Sequence, residues 1–208
     1  MLHPDRLLPV DPQIRDIARH LYVGVKDLPI ISPHGHTDPA WFAENQPFHD
    51  PVSLFIVPDH YVFRMLYSQG VLLEDLGIMA DRSGPVKNPE LVWQRFADHY
   101  YLFRGTPTRI WLDHVFAEVF GLEEPLDGTK AAHYFEVISS ALQQPEFRPR
   151  ALFERFNIEV LATTESPLDT LIHHDAILAD PWPGRVITTF RPDAVLDPED
   201  RKSTRLNS

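Results

Sequence analysis

Two histidines separated by one residue follow a short apolar run, in the segment 29–36, PIISPHGH. Residues two apart in an extended chain point to the same side, so His34 and His36 would present their imidazoles together. Paired imidazoles are half of a typical site for a divalent metal ion. Gly35 adds no side chain between them and permits close approach of backbone or ligand. The spacing predicts metal binding at the carboxyl end of a strand, with two exposed turn histidines as the alternative.

The composition limits the class of protein. The chain has 208 residues, of which 43% are hydrophobic, and it carries a formal net charge of −11 and no cysteine. This length allows a substantial core, and the absence of cysteine leaves His, Asp and Glu as the metal ligands. No basic patch, membrane-length apolar run or secretion signal is evident. We therefore expect a cytoplasmic enzyme that binds neither nucleic acid nor a membrane.

Three apolar, β-branched runs predict the strands of a sheet. Between the last two, Ser166-Pro167-Leu168-Asp169 is interpreted as a helix start with an acid at its fourth position. A strand, a helix and a second strand form a βαβ unit, which implies a parallel sheet. The predicted strands lie near residues 28–32, 158–164 and 185–190.

The long interval between the first two strands is predicted to be helical. Apolar residues recur at helical spacing over 59–156, and Thr129 is predicted to cap one of these helices. Residues 37–57 show no clear period, are interrupted by prolines and are predicted to be irregular. Three strands cannot close an eight-stranded barrel, which needs about 250 residues, so we interpret residues 1–200 as an incomplete barrel domain. The basic, aperiodic residues 201–208 are predicted to be a non-native tail.

Two further segments place polar groups at the ends of predicted elements. Asp59 is a preferred N-cap, and His60 and Tyr61 would project from the first helical turn, where they could carry protons or bind a substrate oxygen. Arg191 follows the third strand, where its planar guanidinium could bind both oxygens of a carboxylate. A solvated surface arginine is the alternative for that position.

Four motifs follow one another along the chain: His34-Gly35-His36, Asp59-His60-Tyr61, the Thr-Thr-x-x-Pro-Leu-Asp run from Thr163, and Phe190-Arg191-Pro192-Asp193. In this order they resemble the motifs of the uronate (glucuronate) isomerases, a family of the amidohydrolase superfamily. The resemblance covers about residues 5–195 and implies an α/β fold, the N-terminal part of a distorted (β/α)8 TIM barrel with a large helical insertion after strand one.

The resemblance also implies an activity and a site. The family interconverts D-glucuronate with D-fructuronate and D-galacturonate with D-tagaturonate, an aldose–ketose isomerisation. His34 and His36 correspond to ligands of one divalent metal ion, for which zinc is favoured, His60 and Tyr61 to a catalytic pair, and Arg191 to a substrate-binding arginine. The family's further aspartate ligand and other substrate contacts belong to its C-terminal half. We therefore expect this chain alone to be inactive. The sequence leaves open whether the full-length protein forms a homo-oligomer.

Two other functions remain open. A metal-dependent hydrolase or decarboxylase of the same superfamily would keep the barrel and the metal, although the Asp-His-Tyr and Arg-Pro-Asp segments disfavour it. A non-catalytic helical interaction module would leave His34 and His36 as surface residues. Metal titration separates this module from the two enzymes.

Overall fold

A computed structural model describes residues 2–78, 86–192 and 196 of the chain. The tail predicted at 201–208 lies outside these residues, as does Asp193 of the last motif. None of the described helices is long and apolar enough to cross a membrane.

The chain divides into two compact units, which we call the helical unit (1–20 and 47–147) and the sheet unit (21–46 and 148–208). In chain order the α-helices and strands are α1 Pro12–Val23, β1 Ile30–Ser32, α2 Pro39–Glu44, α3 Pro51–Phe55, α4 His60–Tyr67, α5 Pro89–Asp98, α6 Pro107–His114, α7 Ala131–Leu142, α8 Pro149–Arg155, β2 Ile158–Glu165, α9 Ile172–Ala179 and β3 Arg185–Phe190. A π-helical turn, Val115–Val119, continues α6, and short 3-10 turns join other helices.

The helical unit is built around buried aromatic rings. Trp93, Phe96 and Tyr100 recur at helical spacing along α5 and the turn after it, and all three are fully buried. Phe116 lies among them and meets Tyr134 of α7 edge to face, with ring centroids 5.3 Å apart. Offset and edge-to-face contacts of this kind stabilise a core beyond the area that they bury. The tyrosine hydroxyls remain satisfied, since that of Tyr100 donates to Asp113.

The prediction of irregular structure over 37–57 was wrong, because this segment contains α2 and α3. Each helix begins at a proline that follows an aspartate N-cap: Asp38 accepts a hydrogen bond from the Ala40 amide, and Asp50 accepts from the Val52 and Ser53 amides. Proline at the first helical position gives up an amide that has no partner there. Helices this short contain too few turns for an apolar period to be visible in sequence.

Thr129 does not cap a helix, which corrects a second prediction. Its amide and hydroxyl donate to Asp127, and Lys130 also reaches the same carboxylate. These bonds hold the pKa of Asp127 at about 2, with the Thr129 hydroxyl as the largest contribution. The aspartate therefore organises the turn, and α7 begins two residues later, at Ala131.

The helix predicted to start at Ser166 begins instead at Ile172. Asp169 reaches back to the Ser166 amide at 2.8 Å, as the acid of a capping box would, but this bond closes a turn. Leu171 then adopts a left-handed backbone conformation with φ of 54°, and the helix starts only after it. The first strand also begins later than predicted, at Ile30, whose amide donates to Asn157.

The sheet has the order β1-β2-β3, and both pairs of strands are parallel. Helix α9 connects β2 to β3, so the predicted βαβ unit and parallel sheet are confirmed. In the β2–β3 register, Thr163 lies beside Thr188, and Thr164 lies beside Thr189. Neighbouring residues of a strand face opposite sides of the sheet. Thr163 and Thr188 therefore lie on one face, and Thr164 and Thr189 lie on the other.

One face of the sheet is covered by helices. Leu161 of β2 and Val186 of β3 form a buried cluster with Phe42 of α2, Phe153 of α8 and Ile177 of α9. Burying these apolar side chains removes them from water, which is the main favourable contribution to folding. Because alternate residues of a strand share a face, Thr163 and Glu165 of β2 lie on the same side of the sheet as Leu161.

Arg150 and Asp180 tie this helical layer together. Arg150 donates to the Phe42 carbonyl at 2.7 Å and to Asp180 at 2.9 Å, and its guanidinium lies over the Trp182 ring. The Trp182 amide also donates to Asp180. This amide and, to a smaller extent, Arg150 hold the pKa of Asp180 below its usual 3.8.

We expect Asp180→Asn to weaken the acid sensitivity of the fold. A carboxyl group whose pKa is lowered by folding stabilises the protein above the unfolded pKa, and this contribution disappears as the pH falls through the folded-state pKa. Asp180→Asn should therefore lower the free energy of unfolding at neutral pH and reduce its decline below the usual pKa of 3.8. Urea unfolding across a pH series, followed by tryptophan fluorescence, measures both effects.

Asp175→Asn, on the exposed surface of α9, provides the matched control for this substitution. It should leave unchanged the decline of the free energy of unfolding at low pH, which we call the acid limb. An acid limb for Asp180→Asn that coincides with the unsubstituted chain would contradict the role assigned to Asp180.

Candidate metal and substrate site

His34 and His36 lie directly after β1 and are both exposed. Their Nε2 atoms are 3.2 Å apart, and the two rings meet edge to face. The structure therefore brings the two imidazoles together with corresponding nitrogens facing each other, as the i, i+2 spacing predicts.

This separation is compatible with a shared metal ion. Zinc–nitrogen bonds measure about 2.0–2.1 Å, which places two nitrogens on one ion about 2.9 Å apart at a right angle and about 3.4 Å apart at the tetrahedral angle. The Nε2–Nε2 distance of 3.2 Å lies between these limits. Among the described residues, no group of three or more His, Asp or Glu side chains is arranged to hold an ion, so the fit rests on this pair.

Two threonine hydroxyls hold residues 33–36, which we call the His-Gly-His segment. Thr164 at the end of β2 donates to the Gly35 carbonyl at 3.0 Å, and Thr189 of β3 donates to the Pro33 carbonyl at 3.3 Å. A side chain at position 35 would meet the backbone of β2, since its Cβ would lie 3.1 Å from the Ala162 carbonyl oxygen. Glycine at this position therefore lets the segment pass close to the central strand.

A polar cavity of about 440 Å³ opens beside this segment, within the sheet unit. Half of the residues in its wall carry a carboxylate or an imidazole, so it can accept hydrogen bonds from the hydroxyl groups of a ligand. The residues with these groups are His36, Asp38, Glu165, Asp169, His173 and His174.

His174 is a member of this wall that the sequence did not indicate. Its side chain is buried, and its Nε2 lies 2.9 Å from the Thr163 hydroxyl and 3.8 Å from a Glu165 carboxylate oxygen. The sequence extends the helix through Leu178, which is in fact 80% exposed, while His174 and Ile177 face the core. The three-residue spacing of His174 and Ile177 was the available signal for the buried face of this helix. Histidine is polar, however, so its place in an apolar stripe does not by itself predict that it is buried.

His60 and Tyr61 belong to the helical unit, in the first turn of α4. Asp59 caps this helix by accepting from the Tyr61 amide at 2.8 Å, which confirms its predicted role as N-cap. Both rings are exposed and lie close together, with centroids 4.2 Å apart. The structure thus brings His60 to Tyr61, as it brings His34 to His36.

Arg191 lies in the sheet unit, immediately after the last residue of β3, and is exposed. It therefore follows the carboxyl end of one outer strand, and the His-Gly-His segment follows that of the other. Ligands of parallel α/β sheets bind outside the carboxyl ends of the strands.

The fold and these side chains define an α/β protein with a polar site at the carboxyl ends of its parallel strands. A sequence model of the family described as glucuronate isomerase matches residues 13–204. The chain therefore belongs to the glucuronate isomerase family, as the order of its motifs predicts.

Curated relatives and solved structures agree with this family. The chain is 60% identical over 197 residues to a uronate isomerase of Mesorhizobium japonicum and 63% identical over 199 residues to one of Xanthomonas euvesicatoria pv. vesicatoria. These matches cover 94% and 95% of the chain but 42% of each relative.

Among crystal structures, glucuronate isomerase from Caulobacter crescentus is similar, with a TM-score of 0.93 and 57% identity over 99% of this chain and 43% of that one. Uronate isomerase from Thermotoga maritima has a TM-score of 0.84 at 28% identity, again over 99% of this chain and 43% of that one. The chain thus spans less than half the length of the relatives that it matches.

We expect Gly35→Ala to destabilise the sheet unit. The new methyl group would lie 3.1 Å from the Ala162 carbonyl of a central strand, which cannot move without disturbing its pairing. Overpacking of this kind lowers the free energy of unfolding by about 1 kcal/mol or more. Urea unfolding of the variant and of the unsubstituted chain measures the change.

Gly24→Ala is the matched control, because its methyl group would lie 3.4 Å from the Leu21 carbonyl, an ordinary contact. It should be close to neutral. Equal stability of Gly35→Ala and the unsubstituted chain would show that the His-Gly-His segment has room to move away from β2.

Proposed function

We propose that this chain forms part of the active site of a uronate isomerase, which interconverts D-glucuronate with D-fructuronate and D-galacturonate with D-tagaturonate. The observation that carries the proposal is the pair of facing imidazoles, 3.2 Å apart between Nε2 atoms, in a chain of the glucuronate isomerase family. In this proposal the parallel sheet is the N-terminal part of a distorted (β/α)8 barrel. Arg191 and the His-Gly-His segment then border the same end of that barrel.

His34 and His36 would hold one divalent metal ion, with zinc favoured. The neutral imidazole nitrogens are suitable ligands for zinc and for several other divalent metals. When bound, such an ion polarises a substrate oxygen as a Lewis acid. Catalytic zinc sites generally have three protein ligands, so the proposal places a further ligand outside the described residues.

The remaining groups are proposed to act on the sugar directly. Aldose–ketose isomerisation moves a proton between C2 and C1 and requires groups that accept and donate protons there. The rings of His60 and Tyr61 are exposed, with centroids 4.2 Å apart, and each carries a group that could accept or donate a proton. The guanidinium of Arg191 would bind the carboxylate of the uronate through both oxygens.

We further propose that the whole protein acts on free uronate in the cytoplasm, as a homo-oligomer, without binding nucleic acid or a membrane. The hydroxyl groups of the sugar would find acceptors in the polar cavity beside His36. Uncharged hydroxyls and a carboxylate need different partners, and the cavity wall and Arg191 offer both kinds.

Metal titration tests the proposed ligand pair. Isothermal titration of the chain with Zn²⁺ should show one ion bound per chain, because two facing imidazole nitrogens are available for it. His34→Ala and His36→Ala should each weaken binding by about tenfold or more, since each removes one of two protein ligands. Mn²⁺ and Co²⁺ titrations compare other ions at the same pair.

His133→Ala removes an exposed histidine of the helical unit and should leave the titration unchanged. If His34→Ala and His36→Ala bind Zn²⁺ as the unsubstituted chain does, the proposed metal site is wrong.

Activity is tested in a chimera that joins residues 1–192 of this chain to the part of the Xanthomonas relative that follows its matched region. We expect this chimera to convert D-glucuronate to D-fructuronate, and the 208-residue chain alone to lack this activity.

In the chimera, Tyr61→Phe removes a proton-carrying hydroxyl and should lower kcat by about 100-fold. Arg191→Met should mainly raise KM, because it removes the group that binds the carboxylate.

The assay measures ketose formation through a coupled enzymatic reduction of the product. Tyr67→Phe removes another exposed phenol of α4, one outside the proposed site, and should leave kcat unchanged. A folded chimera that releases CO2 from uronates or hydrolyses another substrate, without isomerising them, would instead favour the decarboxylase or hydrolase alternative.

A further inference from the structure

His174 is a buried polar residue of the cavity wall to which the proposed metal binding and proton transfer assign no role. It is 6% exposed and lies on α9, the helix that connects β2 to β3. A buried imidazole is unfavourable unless its N–H group finds an acceptor. Its Nε2 atom lies 2.9 Å from the hydroxyl oxygen of Thr163, which is itself fully buried.

The hydrogen bonds of Thr163 determine which way this contact runs. The single hydroxyl proton of Thr163 is donated to the Ile187 carbonyl of β3 at 3.2 Å, because a carbonyl can only accept. The hydroxyl oxygen must then accept from His174, which requires a proton on Nε2 of the imidazole. One hydroxyl thus connects α9, β2 and β3.

Glu165 adds a second connection on the same face of the sheet. Its carboxylate accepts from the Thr188 hydroxyl of β3, and one of its oxygens lies 3.8 Å from His174 Nε2. The carboxyl ends of β2 and β3 are therefore joined through side chains as well as through their backbone pairing. We call Thr163, Glu165, His174 and Thr188 the strand-end cluster.

The opposite face of the same two strand ends holds the His-Gly-His segment. Thr164 and Thr189 follow the cluster threonines in sequence, and their hydroxyls donate to the carbonyls of Gly35 and Pro33. A displacement of the strand ends on the cluster side therefore moves the two hydroxyls that hold the imidazole pair.

We infer that His174 is a positioning residue: through Thr163 it fixes the ends of β2 and β3, and thereby the position of His34 and His36. This positioning of the His-Gly-His segment follows from the hydrogen bonds of Thr163, Thr164 and Thr189. Only its consequence for metal binding rests on the proposed function. His174 acts through other residues and needs no contact with metal or substrate.

The first test is the NMR spectrum of the metal-free 208-residue chain. Long-range ¹⁵N–¹H correlation of the imidazoles should show His174 with its proton on Nε2, and a proton on Nδ1 instead would overturn the inference. His174→Leu and Thr163→Val should shift the amide resonances of Gly35 and His36. His174→Gln, which retains an N–H donor, should return these resonances toward their original positions.

A control substitution in the helical unit accompanies this test. His133→Leu, the same substitution at an exposed histidine of α7, should leave the Gly35 and His36 amides in place. Thr163→Val and His174→Gln keep the test decisive even if His174→Leu does not fold. The positioning role would be overturned if the Gly35 and His36 amide resonances of folded Thr163→Val did not move. It would also be overturned if these resonances were displaced as far in His174→Gln as in Thr163→Val.

Zn²⁺ titration of the same samples links the inference to the proposed site. Loss of an outer residue that orients metal ligands weakens affinity by about 10–100-fold, so we expect about tenfold for Thr163→Val and recovery for His174→Gln. If the unsubstituted chain binds no Zn²⁺ while the Gly35 resonances respond as expected, the metal proposal fails and the positioning role stands. Unchanged affinity in Thr163→Val with intact binding by the unsubstituted chain contradicts the positioning role.

Discussion

The parallel pairing of β2 with both of its neighbours is the constraint on which the sheet unit depends. Because the strands run in the same direction, their carboxyl ends meet at one edge, and the segments after them are brought together. The His-Gly-His segment and Arg191 emerge at this edge from the two outer strands. The central strand contributes Thr164, whose hydroxyl binds the Gly35 carbonyl. Without the pairing, none of these groups would have a fixed position.

The central strand can hold this position because the face of it that meets the helices has both apolar and polar partners. Leu161 packs with the apolar side chains of α2, α8 and α9, while Thr163 on the same face binds His174 and β3. Polar groups inside an apolar layer lower stability unless they are satisfied, and here one hydroxyl serves as both donor and acceptor. The helix layer thus stabilises the sheet through apolar burial and orders its carboxyl edge through hydrogen bonds.

Much of this arrangement could be predicted from sequence, and the failures have physical causes. Long periodic segments and the β-branched run 158–164 identified the helices and the central strand, because period and side-chain shape act locally. Helices α2 and α3 escaped notice because they have few turns, although Asp38 and Asp50 carried their capping signals. The start of α9 was misplaced because Asp169 closes the same hydrogen bond in a turn as in a capping box.

The sequence by itself predicted that the imidazoles of His34 and His36 lie side by side, because residues two apart in an extended chain point to the same side. It also predicted the family, because the order of the motifs can be read from the sequence without a structure. Only the tertiary structure decided that His174 is buried, that Thr163 joins α9 to two strands, and that Thr164 and Thr189 hold the segment between the histidines. Those contacts join residues far apart in the chain, and their existence depends on the register of two strand pairs, which no local pattern of residues specifies.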